Sequence, residues 1–279
     1  MQAYRLGLYE KAMPEGLSWA EKLYGAKQAG YDYLEMSVDE GSAKLARLDM
    51  LASEQLELVR EMSRQGIRIE SMCLSAHRRF PLGSLDEAVR SKSVEILKKA
   101  VLLASNLGIR MIQIAGYDEY YNPSSEQTRA NFGESLRACV EFASQYGVLL
   151  GFETMETEFM NSVEKALFWV KEINSPYLKI YPDSGNITNA ALAHGKNVLD
   201  DIQLGAGHLA AVHLKESLPG KYREIPYGSG HVDFQAIIRQ AYALGVRRFT
   251  GEFWYAGDED WLEYIRKNGA YLRTGKKQA

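Results

Sequence analysis

The chain is poor in cysteine, in histidine and in long apolar stretches, and each scarcity excludes something. Only Cys73 and Cys139 occur in 279 residues, with no CxxC, so neither a disulfide framework nor a thiolate zinc site is indicated. Cys73 falls in an apolar run and reads as core rather than nucleophile. No uninterrupted apolar run approaches the roughly 20 residues needed to cross a bilayer. Met1-Gln-Ala-Tyr-Arg passes almost directly into Leu6-Gly-Leu-Tyr9 without a secretory pattern. A reducing cytoplasm is the expected compartment. Basic excess is missing too: 33 Lys and Arg against 36 Asp and Glu give a formal charge of −3. Neither nucleic acid nor an anionic membrane is therefore an expected partner.

What is present is a repeated phrase: a helical pattern, a glycine, then an apolar run. It occurs at Gly30, Gly66, Gly108, Gly147 and Gly245. Glycine just past a helix takes the left-handed conformation without steric cost, and the run that follows reads as a buried parallel strand. Strands are expected near 5–9, 31–36, 67–74, 110–115, 148–153, 178–182, 209–213 and 247–252. Helices fill 18–29, 53–65, 86–107, 128–145, 162–173, 197–205, 233–244 and 258–272. Ser53 and Asp233 sit where N-caps belong, and Ser84-Leu-Asp-Glu87 fits a capping box. Eight strands alternating with eight helices, without a composition break, predict a (β/α)₈ TIM barrel as a single domain over 1–279. A doubly wound open sheet is the alternative, but no GxGxxG or GxxxxGK[ST] follows the first strand. The longer βα segments 37–52, 74–85, 116–127, 183–197 and 215–232 would then form the face of the barrel where chemistry occurs.

Val148-Leu-Leu-Gly-Phe-Glu153 ends an apolar run in a carboxylate, which needs a partner because an unpaired buried charge is very costly. Three later strands end similarly, in Asp183, His213 and Glu252. Barrel closure would bring these four ends to one mouth. Three carboxylates and one imidazole, without thiolate, suit one divalent ion of intermediate hardness: Mn²⁺, Mg²⁺, Co²⁺ or Zn²⁺. Taken singly, each residue has a plainer reading as a cap or half of an ion pair.

The sequence also resembles a known family. Leu6-Gly-Leu-Tyr-Glu-Lys-Ala12, Tyr31-Asp-Tyr-Leu-Glu-Met-Ser-Val-Asp-Glu40, Ser71-Met-Cys-Leu-Ser-Ala-His-Arg-Arg-Phe-Pro-Leu-Gly-Ser84, Tyr181-Pro-Asp-Ser-Gly-Asn186 and Ala211-Val-His-Leu-Lys215 are similar to the L-xylulose-5-phosphate (L-ribulose-5-phosphate) 3-epimerases of bacterial L-ascorbate and pentose breakdown. The likeness spans essentially the whole chain. It implies that Glu153, Asp183, His213 and Glu252 hold a metal, that Glu153 and Glu252 are an acid/base pair, and that the protein is a homodimer. Inverting C3 of a 2-ketose requires removing a proton beside the C2 carbonyl and returning one to the opposite face. Two carboxylates flanking the substrate suit that task, with a divalent Lewis acid for the enediolate charge.

For the phosphate of such a substrate, Ser75, His77, Arg78 and Arg79 form one candidate segment, since guanidinium forks match phosphate oxygens. Arg47 and Lys215 are further candidates. Asn186 stands where epimerases of non-phosphorylated ketoses carry a histidine, which disfavours a free sugar. Glu35 and Gln113 could bond sugar hydroxyls or the ligands themselves. Other readings are a non-phosphorylated-ketose epimerase, an aldose–ketose isomerase, a non-catalytic sugar binder and an apurinic-site nuclease. Five histidines and the negative charge argue against the last.

Overall fold

The computed structural model describes residues 4–257 and 259–276; what was expected of residues 1–3 and of position 258 lies outside the described residues. Eight strands form one parallel sheet: β1 (Arg5–Tyr9), β2 (Tyr33–Val38), β3 (Arg68–Leu74), β4 (Met111–Ala115), β5 (Leu149–Glu153), β6 (Leu178–Ile180), β7 (Val212–Leu214) and β8 (Arg248–Gly251). Hydrogen-bonded neighbours run β6-β5-β4-β3-β2-β1-β8-β7. The gap between β6 and β7 is bridged by the pairs Ile180–Leu209 and Asp183–His213, and the His213 N–H donates to the Pro182 carbonyl at 2.9 Å. The sheet thus closes on itself. β6 is shorter than expected because Pro182 has no N–H to donate.

Helices α1 (Trp19–Gln28), α3 (Ala52–Gln65), α4 (Glu87–Leu107), α5 (Glu126–Gln145), α6 (Val163–Ile173), α8 (Val198–Leu204), α9 (Phe234–Ala243) and α10 (Trp261–Thr274) match the expected set. A short α2 (Ser42–Leu45) and a full helix α7 (Ser184–Ala193) lie in segments read as loops. All five phrase-marking glycines have positive φ, from 63° at Gly66 to 97° at Gly245. Two start signals are corrected. The N-cap of α3 is Leu51, and that of α4 is Asp86, whose side chain accepts the Ala88 N–H, so Ser84 opens no capping box. Asp233 caps α9 as expected. Among the described residues no helix is long and apolar enough to cross a membrane.

Strand residues alternate between two environments, as a period of two requires. Leu6, Leu8, Leu34, Met36, Ile112, Ile114, Leu150, Phe152, Val212 and Leu214 face the helices and join the main hydrophobic cluster. The opposite set fills the barrel and is largely polar: Tyr33, Glu35, Ser71, Tyr181, His213 and Thr250 bond one another across it. Gly7 belongs to this inner set, and a Cβ there would sit 2.2 Å from the Tyr33 ring. Glycine is required because the tyrosine fills that space.

Candidate metal centre and active site

Glu153 is the last residue of β5, His213 lies in β7, Asp183 lies three residues beyond β6, and Glu252 immediately follows β8. All four are buried, and one donor atom from each lies within 4.8 Å of the others. Asp183 is also the N-cap of α7, where its Oδ1 accepts the Asn186 N–H at 2.8 Å. Lys215 Nζ lies 3.0 Å from that same Oδ1 and 3.8 Å from Glu252 Oε2. Asp183 Oδ2, in contrast, is buried without a partner among the described residues. A buried acceptor left unpaired is costly, and a cation would satisfy it. Three carboxylates and an imidazole are a donor set that fits a divalent ion of the Mg²⁺, Mn²⁺, Co²⁺ or Zn²⁺ class.

The charges here oppose one another. Burial pushes Glu153 up to about 8, with help from the Glu252 charge, and pushes Asp183 up to about 7 against the pull of Lys215. Burial acts on Glu252 as well, but Lys215 and His213 outweigh it and hold that carboxyl well below its ordinary range. For His213 burial would disfavour the cation, yet Glu35 and Glu252 prevail and raise it. His213 Nδ1 is 2.9 Å from Glu252 Oε2 and 3.9 Å from Glu153 Oε1, while Nε2 meets Glu35 Oε1 on the opposite side. Glu35 therefore touches the imidazole rather than the cleft, one of the two roles its position suggested.

Above the quartet a cleft is lined by Tyr9, Lys11, Cys73, Ser75, Arg78, Glu153, Met155, Lys215, Arg223, Glu252 and Trp254. It contains three of the expected substrate contacts: Ser75, Arg78 and Lys215. The turn Ser75–Arg78 is a 3₁₀ helix, in which residues i and i+3 eclipse, so Ser75 and Arg78 share the side facing the cleft. His77 is a correction: it points the other way, is buried, and its Nε2 bonds the Ser93 carbonyl of α4 at 3.2 Å. Arg79 is exposed against the Phe80 ring and does not line the cleft. Arg47 is absent from it as well, because its guanidinium pairs with buried Glu10, donates to the Ser37 carbonyl and covers the Trp19 ring. Asn186 lies beneath, its Nδ2 donating to the Thr154 carbonyl at 2.7 Å.

Two cleft cations were not singled out from the sequence. Lys11 follows β1 and pairs with Asp39 at 2.5 Å; Arg223 lies in the loop after β7 and pairs with Glu156 at 2.6 Å. Lys11 lies within the family-like run Leu6–Ala12, which does not say what its side chain faces, and Arg223 has no motif to mark it. Arg78 differs from both. Its guanidinium covers the Tyr120 ring at 4.8 Å, it makes no ion pair among the described residues, and its Nε has no partner. The Tyr117 hydroxyl is likewise buried and without a partner among the described residues. Gln113 is buried with neither amide atom bonded to any described residue.

The chain is similar to the L-ribulose-5-phosphate 3-epimerase UlaE of Salmonella paratyphi C, with 47% identity over 84% of this chain and 81% of that protein. The same identity to the protein of that name from Salmonella paratyphi A covers 82% and 80%. The chain belongs to the L-ribulose-5-phosphate 3-epimerase family. Residues 23–274 also match the wider xylose isomerase-like TIM barrel family. Among solved structures, the D-allulose 3-epimerase of Methylomonas sp. in complex with D-allulose superposes with a TM-score of 0.78 at 19% identity, over 98% of this chain and 97% of that one. A structure described as L-ribulose 3-epimerase gives 0.77 at 18%, over 98% and 94%. These last two likenesses show that the barrel is shared. In this member of the 3-epimerase family the buried quartet of three carboxylates and one imidazole lies at the end of the barrel where the βα loops gather.

Proposed function

We propose that this chain is a 3-epimerase interconverting L-ribulose 5-phosphate and L-xylulose 5-phosphate, and that it works with one divalent cation held by Glu153, Asp183, His213 and Glu252. The observation that carries the reading is the convergence of two carboxylates, Glu153 and Glu252, on a cluster that also contains an unpartnered buried acceptor. A bound cation would supply Lewis-acid stabilisation of the negative charge that develops when C3 is deprotonated. The remaining work falls to side chains. Glu153 and Glu252 come from strands on opposite sides of β6 and β7, so one takes the C3 proton from one face and the other returns a proton to the opposite face. Their roles exchange with the direction of reaction. Asp183 acts only as a ligand. Lys215 offsets the acidic charge of the quartet and keeps Asp183 in place through Oδ1.

For the phosphate, Arg78 is the primary contact, since it alone of the cleft guanidiniums is not already paired with a carboxylate. Ser75, Lys11 and Arg223 line the same cleft and complete the anion site. Trp254, Tyr9 and Met155 wall it against water. The 47%-identical relatives, named for activity on L-ribulose 5-phosphate, support this choice of substrate. A homodimer belongs to the same proposal, and sedimentation of the purified protein tests it. The activity is tested by incubating the Mn²⁺-loaded protein with L-ribulose 5-phosphate and following the product by NMR. L-xylulose 5-phosphate is expected. Formation of an aldose phosphate would indicate an isomerase instead, and equal rates with unphosphorylated L-ribulose would remove the phosphate site.

A further inference from the structure

The floor beneath the quartet is polar where side chains such as Val, Ile and Leu dominate a typical barrel interior. Its centre is Glu35 of β2, fully buried. Glu35 Oε2 accepts the Ser71 hydroxyl at 2.6 Å and the Tyr181 hydroxyl at 2.9 Å. Tyr181 in turn lies 2.6 Å from Thr250 Oγ1, which is 2.8 Å from the Tyr33 hydroxyl. Glu35 Oε1 is left to face His213 Nε2. Side chains on or beside four strands thus fix one carboxylate against one imidazole nitrogen. A buried charge tolerates such a place only when fully bonded, and this one is.

A carboxylate only accepts hydrogen bonds, so the bond to Glu35 places a proton on Nε2. Nδ1 bonds a carboxylate too, that of Glu252, so without a cation both nitrogens carry a proton. A cation held with Glu252 and Glu153 would take the place of the Nδ1 proton, and the neutral imidazole would keep its hydrogen on Nε2. We infer that Glu35 is a positioning residue, holding His213 as the Nε2–H tautomer so that Nδ1 is the nitrogen offered to the cation. The inference rests on the divalent-cation reading above and adds to it which atom binds and what selects that atom. Partners of this kind orient a ligand and raise its basicity, and losing one typically costs 10–100-fold in metal affinity.

A role confined to filling the floor makes a different forecast from a role on His213. Glutamine at position 35 can still accept from Nε2–H through its carbonyl, and its amide can donate to the Ser71 or Tyr181 hydroxyl oxygen. Leucine can do neither. The test measures the Zn²⁺ dissociation constant of the substrate-free protein by competition with a chromophoric chelator. Glu35→Leu is expected to weaken binding about 10–100-fold, and Glu35→Gln to restore most of it. If both variants bind Zn²⁺ as wild type does, whatever their melting temperatures, the inference is overturned. A second measurement needs no substitution. In the ¹⁵N-histidine-labelled, Zn²⁺-loaded protein, long-range ¹H–¹⁵N correlations should show His213 protonated at Nε2 and coordinated at Nδ1. Coordination through Nε2 would overturn the role of Glu35 while leaving the metal site intact. Absence of any Zn²⁺ binding would remove the metal reading itself.

Discussion

His77 stands in the segment expected to bind phosphate, yet it lies under α4, and its burial makes a quantitative forecast. Desolvation pushes its pKa down to about 4 from an ordinary value near 6.5. The folded imidazole is therefore neutral where the unfolded one is protonated. The unfolded state binds more protons, so stability is complete above pH 6.5 and is lost as pH falls towards 4. The limiting loss is about 2.5 pKa units at 1.36 kcal/mol each, or about 3 kcal/mol, and roughly 2 kcal/mol of it arrives between pH 7 and pH 5. His77→Phe removes the titration at the cost of one hydrogen bond to the Ser93 carbonyl, about 1 kcal/mol at pH 7. Urea denaturation of both proteins at pH 7 and pH 5 should show the variant less stable at the higher pH and more stable at the lower. KM for L-ribulose 5-phosphate at pH 7.5 should not change. A variant whose pH dependence parallels wild type would refute the burial argument, and a tenfold rise in KM would return His77 to the phosphate site.

Glu153→Gln and Glu252→Gln should each lower kcat by about 10²–10⁴-fold with the barrel intact by circular dichroism; near-normal turnover in either would defeat the two-carboxylate mechanism. Arg78→Ala should raise KM for the phosphorylated ketose by about 10–100-fold, the value of a charge-assisted hydrogen bond of about 1.5–3 kcal/mol, and an unchanged KM would remove it from the anion site. Because Glu153 is raised to about 8 and Asp183 to about 7, the metal-free cluster binds protons at neutral pH that a cation must displace. Metal affinity should therefore climb as pH rises from 6 to 8. Calorimetry in two buffers of different ionisation enthalpy should detect release of at least about one proton per Mn²⁺ at pH 7, and identical heats in both buffers would contradict it.

The quartet was legible because strand ends are marked twice in this sequence, by an apolar run before and by a polar residue at its close. Period-two alternation then places Glu153, Asp183, His213 and Glu252 on the inner side together. The same logic located Glu35, though only the fold reveals that Tyr181 and Ser71 turn its second oxygen away from the cleft. Helix α7 was hidden because Ser-Gly-Asn-Ile-Thr-Asn is made of weak helix formers. Its N-cap is Asp183 itself, already read for another purpose. The phosphate contacts were only half legible. The four polar residues between Ser75 and Arg79 give no phase until the 3₁₀ turn sends Ser75 and Arg78 one way and His77 the other. Arg47 was misplaced because nothing local announces that Glu10, 37 residues earlier, claims it. Lys11 and Arg223 were missed for the complementary reason, since loop cations reach a cleft through tertiary closure alone.

The central claim is that side chains from four strand ends close around one cation, and anomalous diffraction from a crystal soaked in Mn²⁺ tests it most directly. One strong peak is predicted, bounded by Glu153, Asp183 Oδ2, His213 Nδ1 and Glu252. A saturating soak that leaves this position without density, or that places Mn²⁺ elsewhere in the barrel, would contradict the account.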